Sequence, residues 1–230
     1  MWKKLTEKTL IHAVLIATSL LSIFPFIWLT STSLKGLGED IFAYPPKLIP
    51  ADFTWANYVD VWGKVDFMAY FWNSVIVAVL TVLLNLILSS LAAYPLARMN
   101  FRGKKIVFFS ILATIMIPFQ AIMLPVYIIT LKLHLIDSVN NVMGYIGLVM
   151  PFAVSAFGIF LMRQAFLKVP REVEEAAIVD GCNVFQMFVK VVIPMVKPTL
   201  AVLAVFTFIG SWGEFLWPSI MLTKDSMYTL

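Results

Sequence analysis

The sequence predicts an all-α membrane protein, a bundle of transmembrane helices, and three observations predict it. Of the 230 residues 61% are hydrophobic and only 13% charged, against about 25% charged in a soluble domain. The apolar residues fall into runs of about 20, the length that crosses ~30 Å of hydrocarbon at ~1.5 Å per residue. The 17 Lys and Arg are strung out in small groups between those runs. A nucleic-acid surface would gather them on one face, so they read as topology signals in contact with membrane lipid.

Five spans follow, within a single domain covering residues 1–230. Lys3, Lys4 and Lys8 precede the first, Thr9 to about Thr32, which is too long for a secretory signal and lacks its small-residue cleavage site. The stretch from Ser33 to Ala69 is polar, with Pro45, Pro46 and Pro50, and its Trp55, Tyr58 and Trp62 suit a membrane-water interface. The second span runs from about Tyr70 to Ala97 and the third from Ile106 to Leu131, with Arg98, Arg102, Lys104 and Lys105 between them. A fourth covers about Asn140 to Met162, residues 163–190 are polar again, and a fifth runs from about Val191 to Leu222.

Eleven basic residues (Lys3, Lys4, Lys8, Arg98, Arg102, Lys104, Lys105, Arg163, Lys168, Arg171 and Lys190) fall on one side, against Lys35, Lys47, Lys64, Lys132 and Lys224 on the other. The positive-inside rule then predicts a cytoplasmic amino terminus and an external Leu230. Because the sequence stops at Leu230 with no polar tail, a sixth span is expected beyond it.

What is absent narrows the chemistry. Cys182 is the one cysteine, and His12 and His134 are the two histidines, so neither an internal disulfide nor a His or Cys metal site is expected. Gly103, Lys104 and Lys105 lack the preceding glycine of a phosphate-binding loop, and no nucleophile motif is visible. No catalytic residue and no cofactor are assigned, and any ATP hydrolysis has to occur in another subunit.

Residues Val169 to Gly181 read as a short amphipathic helix. Pro170 suits a first helical position, Glu172 and Glu174 the positive end of the dipole, and Gly181 a stop. A second short helix, about Val184 to Lys190, leads to Ile193, Pro194 and Pro198. On residue physics alone this is either an interfacial connector or a docking element. The pattern Glu175, Ala176, Ala177, then Asp180, Gly181, then Ile193, Pro194 resembles the cytoplasmic loop signature of permease subunits in binding-protein-dependent ABC importers, closest to the carbohydrate type. Further likeness lies in Phe24, Pro25 and Phe26, in Ala92, Ala93 and Tyr94 with Arg98, in Phe101 to Lys104, in Ile117, Pro118 and Gln120, in Phe157 to Gln164, and in Gly210 to Pro218. Gly213 departs from it, standing where the family pattern has Asn.

That resemblance implies an importer of a sugar or sugar-like solute in the prokaryotic cytoplasmic (inner) membrane. It implies four kinds of partner: a second, different permease, two ATPase subunits that bind ATP and Mg, an external solute-binding protein, and the solute itself. Glu174, Glu175, Ala176, Ala177, Asp180 and Gly181 become the ATPase-coupling residues. An ion-driven secondary transporter is the competing class, but it would normally show inverted repeats and mid-membrane charges, and only Glu214 comes near that requirement.

A carboxylate inside an apolar run is costly and usually faces a cavity or a partner. Glu214, Trp212, Trp217 and Gln120 are therefore candidates for the solute pathway, with the indoles stacking on a sugar ring and the polar groups meeting its hydroxyls. The competing reading puts both Trp in an outer aromatic belt. Thr81, Asn85, Ser89 and Ala93 recur every four residues and favour helix-to-helix packing. Pro118, Pro125 and Pro151 lie inside spans and are expected to bend them.

Overall fold

A computed structural model describes residues 2–45, 47–136 and 141–230, with side chains from residue 7 onward and excluding that of residue 141. The expected start of the fourth span at Asn140, and Pro46, lie outside the described residues. The chain divides into two compact units, residues 1–67 and 68–230.

The first unit holds α1 (Trp2–Ser33) and α2 (Ala56–Lys64). The polar stretch between them folds around Lys35, which is only 3% exposed. Its ammonium donates to the Lys47 carbonyl at 2.8 Å, lies 3.8 Å from Glu39 and 5.4 Å from the Trp28 ring centroid. Asn57 donates to the carbonyls of Ser33 and Lys35, and Ser31 to that of Leu48. A buried ammonium needs several such partners, and they give a hydrophilic loop a fixed course.

The second unit is built on α3 (Phe67–Arg98), a continuous helix of 32 residues. Three bent pairs pack with it. The first is α4 (Lys104–Ala113) with α5 (Phe119–Lys132), the second α6 (Asn141–Val149) with α7 (Ala156–Lys168). The third runs from α9 (Val184–Met187) through a π-helical stretch and α10 (Ile193–Met195) to α11 (Lys197–Trp212). The short α8 (Arg171–Val179) links the second pair to the third, and α12 (Leu216–Met221) follows α11. Glu7–Ser33 and Phe67–Arg98 are each long and apolar enough to cross a membrane, and counting each bent pair as one span gives five. No strand occurs among the described residues beyond one isolated bridge, Lys35 to Phe53, so the fold is all-α.

The bends have local causes. The 100° break between α4 and α5 follows a 3₁₀ turn at Thr114–Met116, after which Ile117 and Pro118 are extended. A proline disfavours the helical region at its predecessor, and with Ile117 extended the helix restarts after Pro118. The 59° break before α7 follows the 3₁₀ turn at Met150–Phe152 that contains Pro151. Extended Ser155 then caps the new helix by accepting from the Gly158 N–H at 3.0 Å. The 78° break falls at Val196, so residues 191–195 form the end of the leg before the bend and the expected fifth span is a bent one. Pro125 lies inside α5 without breaking it.

α3 carries the core on one side. Val77, Ala78, Thr81, Asn85, Ser89 and Ala93 are all buried. A Cβ added at Gly158 of α7 would lie 2.6 Å from Ser89 Oγ and 2.9 Å from Asn85 Oδ1, so only glycine allows α7 to approach this closely. The small and polar stripe packs helix against helix, as its spacing predicts. At the other end of α3, Asn73 donates to the carbonyls of Ser226 and Tyr228 at 2.9 and 3.0 Å, and Ser74 Oγ accepts from the Leu230 N–H.

Candidate functional site

The segment from Arg171 to Gln186 is fixed by its own backbone chemistry. α8 starts just after Pro170, with Glu172 and Glu174 in its first turn, where the helix dipole favours anions. Proline thus stands one residue before the helix and not at its first position. Gly181 has φ +83°, the left-handed conformation that favours glycine. There the Cys182 N–H donates to the Ala177 carbonyl at 2.9 Å and the Gly181 N–H to that of Ile178 at 3.0 Å, a Schellman stop. Asn183 and Gln186 then form a reciprocal capping box that starts α9.

The faces of α8 differ in what they meet. Ala177 is buried in the apolar cluster around Tyr94, Phe166 and Phe188. Glu174 turns inward, its Oε1 3.0 Å from Arg98 Nε, with both side chains nearly covered at 14% and 8% exposure. Arg98 also donates through Nη2 to the Val169 carbonyl. Glu175, Ala176, Asp180 and Gly181 stay exposed, beside the exposed apolar side chains Ile178, Val179 and Phe185.

The six expected coupling residues therefore separate into an inward pair, Glu174 and Ala177, and an outward face. Sequence reasoning took Arg98, Lys104 and Arg163 as topology markers and as part of the permease resemblance, without a structural role of their own. In the structure Arg163 Nε donates to the Leu96 carbonyl at 3.0 Å and lies 4.0 Å over the Phe108 ring, while Lys104 donates to Ala97 and Met99. These cations satisfy carbonyls at the negative end of α3, and their position next to a predicted helix end was the available signal.

Further along α3 a cavity of about 260 Å³ opens, lined by Thr81, Asn85, Ser155, Phe157, Phe206 and Glu214 among others. Thr81 Oγ1 is buried without a hydrogen-bond partner. Asn85 donates to the Phe152 carbonyl at 3.1 Å and accepts from Ser89. Glu214 does not sit inside a continuous helix, as its apolar surroundings suggest. It lies in the break after Gly213, where α11 ends, and its Oε1 accepts from the Trp217 N–H at 3.1 Å, holding the start of α12.

The structure does not bring the four expected pathway residues together. Glu214 borders the cavity, while Trp212, Trp217 and Gln120 are not among the residues lining it. Trp212 stacks on Phe208 and meets Phe71 edge-on, with centroids 5.5 and 6.0 Å away. Trp217 is fully buried, and its indole N–H donates to the Gly147 carbonyl at 3.2 Å, whereas Trp212 stays partly exposed. Gln120 is exposed at the start of α5. Thr81 and Asn85, read from sequence as packing residues, pack and also wall the cavity.

The sequence pattern of the family described as "Binding-protein-dependent transport system inner membrane component" matches residues 85–230. The chain belongs to that family. The matched stretch takes in the cavity wall from Asn85 onward and the whole of the loop tied to Arg98. Among relatives, the chain is 36% identical over 221 residues to the arabinooligosaccharides transport system permease protein AraQ of Bacillus subtilis (strain 168), covering 92% of this chain and 74% of the relative. It is 32% identical over 225 residues to the sn-glycerol-3-phosphate transport system permease protein UgpE of Yersinia enterocolitica, covering 95% and 77%. The fold matches a chain in the crystal structure of a bacterial ABC transporter involved in the import of the acidic polysaccharide alginate. That match has a TM-score of 0.80 and 28% identity, over 96% of this chain and 76% of the other. The chain is thus similar to permease subunits of ABC importers, and its family places it among inner-membrane transport components.

Proposed function

We propose that this chain is the permease subunit of an ATP-driven importer for a neutral sugar or sugar-like solute, coupled to a separate ATPase through the exposed face of α8. The single observation that carries the coupling assignment is the geometry of that helix. It is held from behind by Arg98 and closed by a Schellman stop at Gly181, and it presents Glu175, Ala176 and Asp180 outward with an apolar fringe. A preformed, rigid, mixed-polarity patch on a membrane protein suits docking to a folded soluble partner. Two ATPase subunits holding ATP and Mg, a second, different permease and an external solute-binding protein complete the assembly. Family membership favours this reading over an ion-driven transporter. The solute class is supported by the cavity, where a carboxylate, an amide and hydroxyls stand beside Phe157 and Phe206. Glu214 favours a neutral polyol over an anionic solute, because like charges repel.

The test is solute-stimulated ATP hydrolysis by the whole complex in proteoliposomes, with arabino-oligosaccharide, lactose and sn-glycerol 3-phosphate as candidate solutes. Glu175→Lys and Gly181→Pro should abolish stimulation while the chain still inserts and assembles. Wild-type stimulation in both variants would sink the coupling assignment, and stimulation by glycerol phosphate alone would sink the neutral-solute assignment. Orientation is read separately, with a cysteine placed at position 171 in a Cys182→Ala background. The cytoplasmic amino terminus and loop require it to resist an impermeant maleimide on intact cells.

A further inference from the structure

We propose that Arg98 is a positioning residue of energy coupling, a buried strut that hands the movement of α8 directly to α3. The inference rests on the docking reading of α8 and adds the element that carries its displacement into the membrane. Arg98 is the last residue of α3, and its guanidinium grips the loop on both sides of Pro170. Nη2 donates to the Val169 carbonyl and Nε lies 3.0 Å from Glu174 in the first turn of α8. Two attachments bracketing a helix start fix its angle as well as its position, which one contact does not.

The two attachments differ in kind: Arg98 Nε and Glu174 Oε1 form a close ion pair without hydrogen-bond alignment, and the directional tie is the Nη2 donation to the Val169 carbonyl. The anchorage behind it is firm. Tyr94, one turn earlier on α3, packs on Phe166 and Phe188 with centroids 5.7 and 5.0 Å away. Carbonyls of the same α3 end are held by Arg163 and Lys104. Little water reaches Arg98 or Glu174, so their attraction is screened far less than that of a surface pair.

At its other end the strut meets the cavity. From Arg98 the helix runs without a break to Asn85 and Thr81, about 20 and 26 Å away at ~1.5 Å per residue. A push on the exposed face of α8 therefore reaches the cavity wall through one ion pair and one continuous helix, which lacks a single backbone donor at Pro95 near its Arg98 end. Coupling of this kind requires a contiguous element that both sites bias.

Amide hydrogen exchange on the assembled complex in lipid nanodiscs, with and without magnesium AMP-PNP, tests this without a known solute. In the wild type, nucleotide should change exchange in α8 and in the last turns of α3 together. In Glu174→Gln and in Arg98→Lys the α8 response should remain, while the α3 response falls about fivefold or more. The double variant should do no worse than the worse single one, because both changes break the same contact. An α3 response that follows α8 as in the wild type in either variant, or additive effects in the double, overturns the strut alone. If α8 does not respond to nucleotide in the wild type, the docking reading fails and the strut fails with it.

Discussion

The apolar cluster around Tyr94, Phe166 and Phe188 and the one around Leu148, Trp217 and Met221 share α3, with Thr81, Asn85 and Ser89 lying between them along that helix. They are made differently. The first draws on α7, α8 and α11 and is bordered by polar ties, the Arg98–Glu174 pair and the cations on the last α3 carbonyls. The second draws on the short α6 and α12 and on Leu222 and Met227 beyond any long helix. Where long helices meet, polar contacts at their ends set orientation. Where fragments meet, one large side chain has to hold them, and Trp217 does so with its ring and its N–H. The cavity opens in the polar belt between the two.

The strongest way to break this contrast is Trp217→Ala. The side chain is fully covered, so truncation removes its packing, leaves a void and strands the Gly147 carbonyl, for a loss of about 3–5 kcal/mol. The expected outcome is a much lowered thermal midpoint of the detergent-solubilised chain. Trp217→Phe, which keeps a six-membered ring in place, should cost less, about 1–3 kcal/mol for leaving the Gly147 carbonyl unsatisfied. Equal effects of the two variants would show that the indole N–H, not the ring, holds the second cluster.

Gly158→Val probes the belt between the clusters. The added Cβ meets Ser89 and Asn85 from α3 at 2.6 and 2.9 Å, so α7 must retreat, at about 1–3 kcal/mol for overpacking. Ser89→Ala should relieve part of that loss, since it removes the nearer atom. Thermal unfolding of the single and double variants measures the rescue. The contact is not the obstacle if Ser89→Ala leaves the Gly158→Val defect unchanged.

The all-α fold and the stripe at Thr81, Asn85, Ser89 and Ala93 were legible in the sequence because hydropathy runs and an i, i+4 period are local signals. So was the Gly181 stop, because a left-handed residue after a short amphipathic helix has few alternatives. What escaped was set by long-range partners. The inward turn of Glu174 depends on Arg98, 76 positions away in sequence, and both charges look equally solvated when read alone. The break at Gly213 hid as well, since its flanks are as apolar as a span, and it moved Glu214 from a helix interior to a helix start. Trp217, expected in the solute pathway or in an outer aromatic belt, is instead fully buried, because only the fold places the Gly147 carbonyl against its indole.

The smallest effect on stability, and the most telling for the belt, is expected from Glu214→Gln. The glutamine carbonyl can still accept from the Trp217 N–H, now held at 3.1 Å, so the start of α12 should survive and stability should change by less than about 0.5 kcal/mol. What changes is the charge on the cavity wall. If the cavity takes a neutral polyol, the carboxylate serves as a strong acceptor for hydroxyls, and its loss costs about 1 kcal/mol of solute contact. Uptake measured at a limiting solute concentration should then fall several-fold, with complex assembly and basal ATP hydrolysis unchanged. Trp212→Ala supplies the contrast. That ring packs on Phe208 and Phe71 and does not line the cavity, so it should lower stability with uptake per assembled complex retained. A loss of uptake in Trp212→Ala with none in Glu214→Gln would move the solute path from the cavity to the aromatic face of α11.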